Sequence, residues 1–303
     1  MVDKIFYNEA SASKLGWTPE WFGAYEFDDV LLKKIRVFQR HHHLTADGMC
    51  GPTTFRRIRT MREEQLETFE PKEIREGSSN HIIYNNNYFP IDWHKVVLPF
   101  NANGLKLTKG YKKMTKQRKP KMFVSHWDVC LSSKSCFKVL SRRGLSVHFA
   151  IDNDGTIFQF MDMNHIAYHA GGKFNTTSVG VEVSNAYYPK YNSWYKRHGF
   201  GERPLIEGQR VHGKSMKPFM DFYPVQKQAL KALMKAVHGA MPWIPLECPV
   251  DSNGETSYAL DPVASRNRYS GYVSHYHLTK RKIDCAGLDL KALLEEIKNE
   301  DNA

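Results

Sequence analysis

The strongest constraint on the fold is a series of short β-rich runs in the second half of the chain. From residue 122 onward, "MFVSHW", "SVHFAID", "GTIFQFM" and "SVGVEVS" are each rich in β-branched and aromatic residues and bounded by turn residues. Asn-Asp-Gly joins the second run to the third. Helical spacing of apolar residues marks "SCFKVLSRRG" (135–144) and "YPVQKQALKALMKAVHGAM" (223–241). In the latter, Leu230, Leu233, Met234 and Val237 form one stripe, read as core rather than as a binding groove. Strands mixed with helices predict an α/β domain, a central mixed β-sheet flanked by helices. Residues 186–222 and 246–268 are polar and rich in Tyr, Pro and Gly; they read as long loops of the kind that contact substrate.

The N-terminal part is different. Over 28–60 the pattern predicts two amphipathic helices around a turn. Val30, Leu31, Ile35 and Phe38 recur at helical spacing, "ADGMCGPTTF" makes the break, and Phe55 and Ile58 lie on the second helix, which begins near Thr53. The order Phe38, Gln39, Leu44, Asp47, Gly48, Gly51, Pro52, Thr53 resembles the peptidoglycan-binding three-helix module. The resemblance implies a small three-helix domain over 1–65, with Phe38, Gln39, Asp47 and Gly48 in the wall-binding module. Residues 61–80 read as a helical extension fading into a linker. The linker and lead-in segment is set at 66–118; residues 81–121 hold short apolar pieces and then the basic run "KLTKGYKKMTKQRKPK", read as a solvated loop in preference to a patch that meets anionic polymer. His41, His42 and His43 are consecutive, so they do not share a helix face and are read as surface or substrate contacts rather than a metal site.

Bulk properties narrow the partners without choosing one. The net charge of +11 favours polyanions such as nucleic acid, anionic lipid or an acidic cell-wall polymer. No nucleic-acid motif accompanies it, so no nucleic-acid partner is expected. The five cysteines, at 50, 130, 136, 248 and 285, have no framework spacing and fit a reducing compartment. No apolar run is long enough for a transmembrane segment, and the N-terminus lacks the pattern of a secretory signal.

The chemistry begins at His126, which ends the apolar run "MFVSH". "YVSH", ending at His275, repeats that arrangement. Two such strands side by side would set both imidazoles at one sheet edge, and a carboxylate or thiolate from a following loop would complete three ligands. Three protein ligands and an open position are the layout of catalytic zinc. Glu182 lies inside "VGVEVS", where a carboxyl is costly to bury without a task.

The ordered landmarks "FVSH126", "VH148FAIDNDGTIFQ", "AYH169AG", "SVGVE182" and a terminal histidine block resemble the zinc-dependent N-acetylmuramoyl-L-alanine amidase family over residues 120–292. That family includes phage endolysins, muropeptide amidases and peptidoglycan-recognition proteins. The resemblance implies a catalytic domain over 119–298 with one catalytic Zn2+. It implies hydrolysis of the amide between N-acetylmuramic acid and L-alanine of the stem peptide, with Glu182 as general base and Lys282 stabilising the oxyanion. His148, His169 and Asn175 become substrate-binding candidates. Val147 stands where some relatives carry a tyrosine, which leaves the proton transfer to Glu182.

Two registers fit the terminal block "SHYHLTKRKIDCAG". One makes His126, His275 and Asp284 the ligands, with Lys282 two positions before the last. The other takes His277 and Cys285. The first is preferred because it keeps a polar catalytic residue in place. The function expected is peptidoglycan hydrolysis by a phage or prophage endolysin, a bacteriolytic enzyme of cell wall degradation. It would be made in the host cytoplasm without a signal peptide and reach the wall, in the periplasm, after membrane permeabilisation. A non-catalytic recognition protein and a cell-wall-recycling amidase are the alternatives. Oligomeric state stays open, with a monomer as the default.

Overall fold

The computed structural model describes residues 2–64 and 80–301; the linker expected from residue 66 lies largely outside them. Three helices come first: α1 (Lys4–Leu15), α2 (Asp29–His41) and α3 (Pro52–Glu64). Asp3 caps α1 by accepting from the Ile5 and Phe6 amides, and Asp28 caps α2 through the Leu31 amide. Leu31, Leu32 and Ile35 form the buried stripe of α2, with Phe38 partly buried, whereas Val30 is 51% exposed and lies outside that stripe.

The motif residues of this module are occupied inside it. The Gln39 amide donates to Asp47 Oδ1, the Met49 carbonyl and Thr54 Oγ1, and accepts from the Gly48 amide. Asp47 Oδ1 also accepts from the Met49 amide, and Gly48 sits at φ 81, where a side chain is disfavoured. Phe38 packs edge-on to Phe22. Of the four residues assigned to the wall-binding module, Gln39, Asp47 and Gly48 build the turn between α2 and α3, and Phe38 packs in the helical core.

The main sheet has six strands: β1 (Val96–Val97), β2 (Met122–Trp127), β3 (Phe149–Ile151), β4 (Ile157–Gln159), β5 (Ser178–Val183) and β6 (Gly271–Ser274). Their order is β6-β2-β5-β3-β4-β1, with only the β3–β4 hairpin antiparallel. The lead-in region is therefore part of the domain. It supplies the edge strand β1, and Arg118 at the end of its basic run is buried, donating to the carbonyls of Met163, His165 and Ser178.

Alternation along the strands decides what each face carries. Phe123, Val179, Val181 and Val183 point to one side, onto α5 (Pro224–Ala240) and α7 (Leu290–Asp301). Ala150 and Phe158 point to the other side. There they share a core with α4 (Ser133–Arg143), through Cys136, Val139 and Leu140, and with Phe55 and Ile58 of α3. His126 and Glu182 are even-numbered partners in the β2–β5 register and face this second side. The short helix α6 (His275–Leu278) follows β6 directly.

Candidate functional site

The parallel strands β2, β5 and β6 end together, the usual place for a ligand site in an α/β sheet. Ser125 pairs with Ser274, so the following residues, His126 and His275, stand side by side. Their Nδ1 atoms are 3.0 Å apart, and each lies 3.0–3.1 Å from Asp284 Oδ2. Among the described residues this is the one His/Cys/Asp/Glu group close enough to share a metal ion. Tetrahedral zinc with bonds of about 2.0–2.1 Å would set its ligand atoms about 3.3 Å apart, so the three atoms fit one ion with little adjustment.

The wiring behind His126 fixes its tautomer. Ser178 Oγ donates to the Phe174 carbonyl at 2.7 Å, which leaves it to accept from His169 Nε2–H at 3.1 Å. His169 Nδ1 is then an acceptor, 2.9 Å from the His126 Nε2–H. Burial, then the neighbouring His275, pushes the His126 pKa down to about 4, so the ring is neutral and its one proton is committed to His169. A lone pair on His126 Nδ1 therefore faces the Asp284 carboxylate. Burial alone would raise the Asp284 pKa, but the neighbouring His275 wins and holds it well below the usual range. Two acceptors at 3.1 Å are favourable only with a cation between them.

His277 and Cys285 stay out of this set. His277 Nδ1 accepts from the Ser274 amide and Nε2 donates to the Ser257 carbonyl, so both nitrogens are occupied. Cys285 is fully buried in the apolar core, and burial raises its thiol pKa well above the ordinary value. The alternative register fails on geometry.

Glu182 is 8% exposed, its Oε2 has no hydrogen-bond partner, and it lines the same cleft as His126, His275, Lys282 and Asp284. Burial raises its pKa to about 8, with Arg56 opposing the shift. His169 also lines the cleft and acts on His126 as described. Two other substrate-binding candidates do internal work instead. His148 is wholly buried; it accepts from the Gly180 amide at Nδ1 and lies 3.0 Å from the His165 carbonyl at Nε2. Asn175 Oδ1 accepts from the His169 and Ala170 amides, shaping the loop that carries His169. The consecutive histidines form no metal cluster: His42 is buried against Phe38, and His43 lies 3.3 Å from the Lys217 ammonium.

Sequence reasoning missed three contributors. Arg56 and Arg57 of α3 line the cleft, although nothing in their own segment signals a catalytic neighbour. Residues 186–222, expected as a long loop, contain a short helix (Asn192–Arg197) and two small strand pairs. His212, at the turn of the pair Arg210–Val211 with Lys214–Ser215, donates from Nε2 to the Lys282 carbonyl and accepts the Leu260 amide at Nδ1.

A mixed sheet ending in a His–His–carboxylate group with a buried glutamate beside it defines a hydrolase site able to hold a metal ion. Residues 116–246 match the family described as N-acetylmuramoyl-L-alanine amidase, and the chain carries a domain of that family. The match contains His126 and Glu182 and stops before His275 and Asp284. Among solved structures, the chain is similar to the Pseudomonas aeruginosa AmpDh3 in complex with an anhydromuramic pentapeptide, at 20% identity, covering 61% of this chain and 63% of that one, TM-score 0.39. It is also similar to the Ph2119 endolysin of the Thermus scotoductus MAT2119 bacteriophage, at 15% identity, covering 66% and 97%, TM-score 0.37. A third is the endolysin amidase LysCS of Clostridium intestinale URNW, at 17% identity, covering 69% and 96%, TM-score 0.37. No curated protein matches the sequence. No helix among the described residues is long and apolar enough to cross a membrane.

Proposed function

We propose that the chain is a zinc-dependent peptidoglycan amidase of the endolysin type, cleaving the bond between N-acetylmuramic acid and L-alanine. The observation that carries the zinc reading is the neutral His126, whose Nδ1 lone pair faces the Asp284 carboxylate at 3.1 Å. His126, His275 and Asp284 would hold the ion. Bound there, zinc supplies Lewis-acid chemistry, polarising the scissile carbonyl and making water more acidic. Glu182, unpartnered at Oε2, would act as its carboxylate, the form that a cation in the neighbouring site favours, taking a proton from the attacking water and delivering one to the departing alanine nitrogen. The Lys282 ammonium, on the same cleft, compensates charge developing on the carbonyl oxygen. His169 and Ser178 keep the His126 ring oriented through both steps.

The lytic role is supported by a net charge of +11, which suits anionic envelope polymers. Such a protein would act on the wall after the membrane is permeabilised. Zymography on purified cell walls tests the reading. Clearing should vanish with chelator and return with zinc, and the released peptides should carry a new N-terminal alanine. Clearing that persists in chelator, or peptides without that terminus, would refute it.

A further inference from the structure

The N-terminal helices are not held apart from the catalytic domain. Phe55 and Ile58 of α3 share one apolar core with Val139 and Leu140 of α4 and with Ala150 and Phe158 of the sheet. Thr60 Oγ1 donates to the Val129 carbonyl at 2.9 Å, and the Arg57 guanidinium lies 3.3 Å over the Tyr188 ring. This is the face of the sheet toward which His126 and Glu182 point. As a result Arg56 and Arg57 of α3 and Arg143 of α4 line the catalytic cleft.

These three cations lack anionic partners. Arg56 Nε, Arg57 Nε and Nη1, and Arg143 Nη1 are buried without a hydrogen-bond acceptor. Arg57 is itself only 4% exposed. Glu182 and Asp284 are near enough to act on Arg56 electrostatically, yet no ion pair joins the three arginines to a carboxylate among the described residues. Burial, then the Arg56 charge, lowers the Arg143 pKa to about 10, so the cluster is held together against desolvation and repulsion. Gathering like charges in a half-closed cleft is unfavourable unless an anion enters. A guanidinium presents a planar fork that matches a carboxylate in two parallel bonds.

We propose that α3 is a fixed wall of the active cleft, and that Arg56 and Arg143 form a subsite for a free carboxylate of the stem peptide, with Arg57 held over the Tyr188 ring beside them. This rests on the amidase reading above and extends it to substrate choice. The appended helices then do more than concentrate the enzyme at its polymer: they supply part of the recognition surface.

The test compares two soluble muropeptides that differ at one group, the α-carboxylate of the glutamate after L-alanine, free in one and amidated in the other. Purified full-length zinc-loaded protein is assayed as wild type, Arg56→Gln, Arg143→Gln and Arg56→Lys, with circular dichroism confirming the fold of each. The wild type should cleave the free acid with about tenfold or greater advantage in kcat/KM, as a charge-assisted pair provides. Either glutamine variant should bring the ratio toward one through KM, and Arg56→Lys should restore part of it. A ratio that both glutamine variants leave unchanged would overturn the proposal. So would equal acceleration on both substrates, which would mean that α3 obstructs the cleft. A wild type that cleaves neither muropeptide would remove the amidase reading itself, and the subsite with it.

Discussion

Gly180 offers the sharpest test of how the metal group is held. It lies on β5 where the His169 ring packs against the strand. A Cβ at this position would stand 2.5 Å from His169 Nδ1, 2.6 Å from Cε1 and 2.9 Å from Cγ. Ordinary contact begins near about 3.5 Å, so Gly180→Ala requires the ring to retreat by roughly 1 Å. The 2.9 Å bond from His126 Nε2–H to His169 Nδ1 would then stretch beyond hydrogen-bonding distance. Loss of such a supporting bond typically lowers metal affinity about 10–100-fold, or about 1.4–2.7 kcal/mol. Competition with a zinc chelator of known affinity reads this directly, with circular dichroism verifying the fold. His169→Asn, which leaves the strand untouched, should shift zinc affinity in the same direction. Wild-type affinity in both folded variants would refute the proposed role of His169.

Two further outcomes concern Glu182. Glu182→Gln should bind zinc as the wild type does while kcat falls about 10²–10⁴-fold, the usual contribution of a positioned acid–base group; full activity in the variant would remove its assigned role. In metal-free protein the same pair isolates a pH effect. The folded pKa is raised from 4.5 to about 8, so between those values the folded state holds a proton that the unfolded chain has released. Stability of the wild type relative to Glu182→Gln should therefore fall as pH rises through this window. The slope is about 1.4 kcal/mol per pH unit and the total about 4–5 kcal/mol. Urea midpoints across the window measure it, and a constant difference would show that the carboxyl is not desolvated.

The sheet was legible because its runs are short, β-branched and alternating. The same alternation set His126 and Glu182 apart, as polar residues inside otherwise apolar strands. The choice between His275 and His277 was not legible. Both lie on one turn of helix, where two residues differ by about 200° in direction, so one faces the cleft and the other the Ser257 carbonyl. Only the path of the chain beyond that turn shows which is which. The motif residues of the N-terminal helices were legible as a turn and as nothing more. Gln39, Asp47 and Gly48 mark a turn by building it, and a pattern created by turn geometry carries no information about what the outer surface touches. Arg56 and Arg57 were invisible for a third reason. Their role depends on docking between α3 and a sheet that begins some thirty residues later, and nothing local encodes that contact.

His212 shows how segments distant in sequence support the site. One imidazole joins three segments: it sits at the hairpin turn between Val211 and Lys214, accepts from the Leu260 amide, and donates at 3.0 Å to the carbonyl of Lys282. Its backbone sits at φ 53, a left-handed conformation that a residue with a Cβ keeps only where its surroundings hold it. The segment from Lys280 to Ile283 has no regular secondary structure, so its backbone needs anchors from elsewhere. Lys282 in turn lies two residues before Asp284, and any drift of that carbonyl moves the ammonium and the carboxylate together. A single side chain from a distant turn thus ties the Leu260 segment to the chain that carries Asp284, and it holds Lys282 on the cleft by its main chain while leaving the ammonium free.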